Sequence, residues 1–175
     1  MPDISEREAE PVGPFEFSNA VEIERPAADV YALVDWGDAR NAKRVPGNRV
    51  ERVGSAPDRY RLWLEALPGH VFDMVVSDAV PGRLYAFETT ITPAIGQLAS
   101  SRELYELDPL GEGACRLRLT VTACFTGGLS DEALASEVMM MAAACENAMV
   151  KLKLQAEQGA GAVQALEARQ AATWS

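Results

Sequence analysis

The chain has 175 residues, 16 of them Lys or Arg against 26 Asp or Glu, for a formal charge of −10. Its 48% hydrophobic and 24% charged content is that of one folded domain, large enough to bury about 70% of its unfolded surface, and its acidic balance lacks the clustered cations that nucleic acid or an anionic membrane requires. The lone histidine, His70, excludes a multi-histidine metal site and leaves any Ser-His-Asp or Cys-His centre dependent on one residue.

Residues 1–13 carry four acidic side chains and two prolines with almost nothing to bury, and are expected to form a flexible acidic tail. They lack the apolar core of a signal peptide, and no apolar run reaches the ~20 residues needed to cross a bilayer. Cys115, Cys124 and Cys145 are odd in number and form no CxxC pair, which fits a reducing compartment; the expected location is cytoplasmic. Over 15–25, alternation through Phe15, Phe17, Val21 and Ile23 predicts a half-buried strand. Pro26 ends it and opens a short helix to Trp36, with Val30, Leu33 and Val34 on one face and Gly37 as the stop. A second short helix is expected over 38–44, before the Pro46-Gly47 turn.

Six strand-like segments follow, over 48–54, 59–66, 70–79, 84–92, 98–107 and 115–126, divided by turn residues such as Pro68-Gly69, Pro81-Gly82 and the stretch 108–113. Connections this short join antiparallel neighbours, because a parallel return needs a crossover of a dozen or more residues. The last strand alternates without interruption, with Cys115, Leu117, Leu119, Val121, Ala123 and Phe125 on the covered face. After Gly127-Gly128, Ser130 is a helix N-cap with Asp131 and Glu132 in the first turn, and Leu134, Val138, Met141, Cys145 and Leu152 recur at helical spacing. A helix over 131–158 would be roughly 42 Å long, enough to cross a sheet diagonally. Residues 159–175 are read as a C-terminal extension, a frayed helix offering Val163, Leu166 and Trp174 to packing. The fold class is therefore α+β: a helix-grip arrangement of about seven curved antiparallel strands around a long C-terminal helix, with two short helices after the first strand and one domain over 14–158.

The order of elements and several local stretches resemble the START-like (SRPBCC) superfamily, which includes Bet v 1 type allergens, polyketide cyclase/dehydrases and lipid-transfer domains. The matching stretches are ERPAADVY at 24–31, Val80-Pro81-Gly82-Arg83-Leu84, and the hairpin from Leu107 to Gly113 followed by Cys115-Arg116-Leu117. Val45-Pro46-Gly47 with Val50-Glu51 is also similar to the subgroup containing the carbon monoxide dehydrogenase G subunit. The resemblance implies a cavity between the sheet and the long helix that holds an apolar ligand, with no cofactor.

Strand parity, independently, turns Tyr60, Leu62, Phe72, Met74, Tyr85, Phe87, Glu103 and Tyr105 toward the covered face, with Met141 facing them from the long helix. These are the candidate ligand-binding residues. Glu103, a carboxyl in an apolar setting, is a candidate general base; the plainer alternative is a register shifted by one, with Arg102 inward and Glu103 in water. His70 is a candidate proton shuttle or an exposed turn histidine. The tyrosines steer a ligand carbonyl or pack the sheet for their area. No nucleotide, hydrolase-elbow or zinc-protease motif occurs, and Cys124 has the opposite parity to Cys115, so no metal site is expected. Three functions stay open, in this order: a carrier or sensor of a small apolar molecule or lipid; a cofactor-independent polyketide cyclase or aromatase; and an accessory protein like the dehydrogenase subunit. The expected partner is the small molecule or lipid, with neither nucleic acid nor stable membrane insertion, and with homodimer formation left open.

Overall fold

A computed structural model describes residues 9–173. Seven strands form a single sheet: β1 (Val12–Ile23), β2 (Arg49–Arg52), β3 (Arg59–Trp63), β4 (Val71–Val80), β5 (Leu84–Thr92), β6 (Leu98–Pro109) and β7 (Cys115–Phe125). Their order is β1-β7-β6-β5-β4-β3-β2, with every pair antiparallel. The meander runs in sequence from β2 to β7, and β1 closes onto β7. Three helices complete the described residues: α1 (Ala27–Val34), α2 (Asp131–Gln158) and α3 (Ala160–Thr173). This is the helix-grip architecture.

The alternation read in β7 holds at every position. Cys115, Leu117, Leu119, Val121, Ala123 and Phe125 are all buried while their neighbours are not, and each large apolar side chain among them contributes about 1.5–3 kcal/mol by leaving water. Phe17 of β1 pairs with Val121, and Val121 with Glu103 of β6, which pairs in turn with Phe87 of β5. This transverse row carries the concave face across four strands. Irregularities at Val76/Asp78 and at Leu98/Ser100 interrupt the ladders, as bulges that bend a sheet do.

α2 begins as expected: Ser130 Oγ accepts from the Ala133 N–H at 3.1 Å. It packs with Cys145, Met149 and Leu152 buried. By length and composition α2 is long and apolar enough to cross a membrane, which the sequence reading did not foresee; here it lies over the sheet, with Met139 and Met140 exposed.

Three expectations are corrected. The strand β1 starts at Val12, so Val12 and Gly13 belong to the sheet, not to a tail, and a side chain at Gly127 would collide with the Glu10 carbonyl; residues 1–8 lie outside the described residues. No helix forms over 38–44. Asp38 and Asn41 bond the backbone two residues on, at the Arg40 N–H (2.8 Å) and the Lys43 N–H (2.9 Å), and such Asx contacts compete with helical bonding. Asn41 Nδ2 also donates to the Asp35 carbonyl at 3.0 Å, and Arg44 to the Trp36 carbonyl at 2.7 Å. The segment is a knotted turn, not a helix. Finally, the C-terminal extension is an ordered helix: Gly159, at φ +90°, breaks α2 from α3, and Lys151 of α2 pairs with Glu167 of α3 at 2.9 Å. Trp174 lies outside the described residues.

Candidate functional site

Between the concave face and α2 lies a cavity of about 630 Å³, within the range that holds small organic ligands. Its floor comes from Leu62, Phe72, Met74, Phe87, Leu119 and Val121; α1 and the turn after it add Leu33, Val34, Trp36 and Lys43; α2 and α3 add Met141, Cys145, Ala148, Val163 and Glu167. Most of this surface is apolar, as a site for a hydrophobic molecule should be.

Polar side chains such as Asn48, Glu65, Lys151, Gln155, Gln164 and Glu167 also line it, and one pair on β6 is bonded to itself against the apolar floor. Glu103 and Tyr105 occupy alternate positions of β6 and so share a face, which lets the Tyr105 hydroxyl donate to Glu103 Oε2 at 2.7 Å. Glu103 keeps some accessible area, but that area opens onto the cavity, not onto bulk water. Burial raises its carboxyl above the ordinary value of 4.5, against the opposing pull of the Tyr105 hydroxyl and the Lys43 cation. Tyr105 is itself held well above the usual phenol value, first by burial and then by the Glu103 charge. Burial, followed by Glu103, pushes the Cys145 thiol up to about 11, so it is a small hydrophobe rather than a thiolate. Thr89 and Ser101, paired across β5 and β6, add hydroxyls to the same wall.

Trp36 completes the set. Only 6% exposed, it lines the cavity edge-on to Phe87 at 5.4 Å, and its Nε1–H is buried and, among the described residues, without a hydrogen-bond partner. A buried unpaired donor costs about 1–3 kcal/mol.

Of the residues expected at the site, Leu62, Phe72, Met74, Phe87, Glu103, Tyr105 and Met141 line the cavity. Glu103 is inward, so the shifted-register alternative is set aside. Three residues do not line it. Tyr60 and Tyr85 are buried on the correct face but at the α1 end of the core, where other groups hold their hydroxyls: Tyr60 accepts from Arg52 at 3.1 Å, and Tyr85 accepts the Trp36 backbone N–H at 3.1 Å. His70 sits ahead of β4 with Nδ1 2.8 Å from the Pro93 carbonyl, outside the cavity; its position is that of the turn histidine, and a proton-shuttle role has no geometry here. Sequence reasoning missed Trp36, Lys43 and the α3 residues. Trp36 was legible as an aromatic at the end of an apolar helical face, whereas nothing local marks Lys43 or Glu167. Among the described residues no group of His, Cys, Asp or Glu is placed to hold a metal ion.

No family model matches the sequence, and neither does any curated protein. Solved structures do match it. The aromatase/cyclase Zhui from Streptomyces sp. R1128 superposes with a TM-score of 0.58 at 18% identity, over 87% of this chain and 94% of that one. The di-domain ARO/CYC BexL from the BE-7585A biosynthetic pathway superposes with a TM-score of 0.60 at 20% identity, over 81% of this chain. DynU16, encoded in the dynemicin biosynthetic locus, does so at 0.56 and 18%, over 82%. This chain spans 44% of the length of BexL and 48% of that of DynU16, about half of each. Likeness at such identity speaks for the fold.

Proposed function

From a chain whose fold is START/SRPBCC-like, we propose that the protein binds a small, largely apolar molecule carrying at least one oxygen function in the cavity between the sheet and α2–α3. The observation that carries this reading is the pairing of a largely apolar cavity of about 630 Å³ with the hydrogen-bonded Glu103–Tyr105 pair on its wall. An apolar body supplies affinity through area removed from water. The carboxyl selects among apolar bodies, because a hydroxyl on the bound molecule can donate to Glu103 Oε1.

A second reading, cofactor-independent cyclase or aromatase chemistry, is favoured by one observation: a carboxyl with a raised proton affinity and a phenol meet at 2.7 Å inside the cavity. Held there, Glu103 can take a proton from a carbon next to a carbonyl, and Tyr105 can steady the enolate oxygen that results. The two readings share the cavity and differ in whether Glu103 turns over.

Native mass spectrometry of the purified chain, with extraction of whatever co-purifies, tests the binding reading, supported by a fluorescence titration with N-phenylnaphthylamine. Saturable binding at one site is expected; absence of any retained compound together with no saturable probe binding refutes it. Glu103→Gln separates the readings. It should abolish turnover of an extracted poly-ketone substrate if the protein is a cyclase, and should only weaken binding of the oxygen-bearing ligand if it is a carrier.

A further inference from the structure

The chain has three lysines, Lys43, Lys151 and Lys153. Two have partners. Lys151 Nζ lies 2.9 Å from Glu167, and Lys153 Nζ donates to the Glu22 carbonyl at 2.6 Å and lies 3.4 Å from Glu157. The Lys43 amine lines the cavity and, among the described residues, makes neither a hydrogen bond nor an ion pair within 4 Å. Its backbone is anchored: the Lys43 N–H donates to Asn41 Oδ1, and buried Asn41 donates in turn to the Asp35 carbonyl. A turn closed by these bonds thus brings the amine of Lys43, a residue with accessible surface, to a largely apolar chamber that also holds the Glu103 carboxyl.

We propose that Lys43 captures an apolar aldehyde or ketone in this cavity as an imine. The inference rests on the ligand-binding reading of the cavity and names the ligand's chemical class. The nitrogen lone pair attacks the carbonyl carbon, forming the C–N bond, and a proton passes from nitrogen to oxygen to give a carbinolamine. The C–O bond then breaks as that oxygen takes a second proton and leaves as water. One carbonyl and one amine give one imine and one water, with no oxidant or reductant. Glu103, which lines the same cavity, is the acid that supplies the second proton, and its carboxylate takes back the proton left on nitrogen, so that the iminium becomes the imine.

The surroundings support a nucleophilic rather than a purely ionic role. Lys43 keeps accessible surface, but desolvation of its amine by the surrounding protein lowers its proton affinity, as does Lys151 from α2, while Glu103 from β6 and Glu167 from α3 act in the opposite sense. Each unit by which an amine's pKa falls raises its unprotonated fraction near neutral pH about tenfold, and the unprotonated amine is the reacting species. Lys151 and Lys153 are already engaged by the Glu167 and Glu157 carboxylates.

The test uses the full chain with naphthaldehyde near neutral pH, sodium cyanoborohydride to reduce any imine to a stable secondary amine, and peptide mapping by mass spectrometry. Methylnaphthalene, the same body without the carbonyl, is titrated in parallel by fluorescence. Lys43 should carry most of the label, more than Lys151 and Lys153 together, and that label should be competed by excess methylnaphthalene, persist in Lys153→Arg and disappear in Lys43→Arg. Label spread evenly over the three lysines, or label at Lys43 that methylnaphthalene does not compete, overturns the proposal. If methylnaphthalene binds saturably and Lys43 stays unlabelled, imine capture fails while the cavity reading stands; if neither compound binds, both fall.

Discussion

Replacing Glu103 with Gln keeps the shape of the side chain and an oxygen to accept from Tyr105, and removes a single ionisation from the cavity wall. In the folded chain the carboxyl binds its proton more tightly than the ordinary value of 4.5, because burial outweighs both the Tyr105 hydrogen bond and the Lys43 charge. The stability that Glu103 contributes is therefore complete below that ordinary value, and it is lost as pH rises through the higher folded-state value. Within that window the wild type should lose up to about 1.4 kcal/mol per pH unit relative to the Gln variant. The hydrogen bond offsets part of the loss, since one to a charged acceptor contributes about 1.5–3 kcal/mol against 0.5–1.5 for a neutral one. That offset is already contained in the net upward direction. Urea unfolding of both proteins at intervals from about pH 4 to pH 8 reads the difference directly. The two curves should nearly coincide at the acid end, with the variant gaining as pH rises. A difference that does not vary with pH, or a variant that weakens as pH rises, would refute a buried, proton-retaining Glu103.

Two further outcomes follow from the cavity walls. Ala148 on α2 keeps accessible area that faces the cavity, so Ala148→Trp should fill space without disturbing the core, lowering affinity for N-phenylnaphthylamine by tenfold or more, about 1.4 kcal/mol, with the circular dichroism spectrum retained; unchanged affinity would place the ligand elsewhere. Glu167 pairs with Lys151 at a partly exposed site, where such pairs contribute about 0.2–1 kcal/mol. Glu167→Ala should therefore scarcely move the melting temperature yet speed release of the probe in stopped flow, because α3 forms part of the wall; an unchanged release rate would remove α3 from the binding site.

Face and order were legible in residue spacing; distance along the face was not. The uninterrupted alternation of β7 and the recurrence of Val138, Met141, Cys145 and Leu152 determine which side of each element is covered, since a one-residue slip would carry every apolar side chain of a strand into water. That was enough to turn Glu103 and Tyr105 inward. It could not separate them from Tyr60 and Tyr85, which have the same parity but lie where α1 and its following turn fill the space and engage their hydroxyls.

The turn over 38–44 and the fold-back of α3 were decided by tertiary structure. Over 38–44, Asx contacts from Asp38 and Asn41 displace helical bonding, and the segment is tied to the sheet through Trp36, whose N–H donates to the Tyr85 hydroxyl and whose carbonyl accepts from Arg44. The Ala- and Gln-rich tail became a cavity wall once Gly159 reversed the chain and Lys151 met Glu167. Local patterns specify what must be hidden from water, because burial acts on each residue through its own surface. Which polar groups meet inside the hidden space depends on contacts between residues as distant as Lys43, Glu103 and Glu167, and no spacing along the chain encodes those.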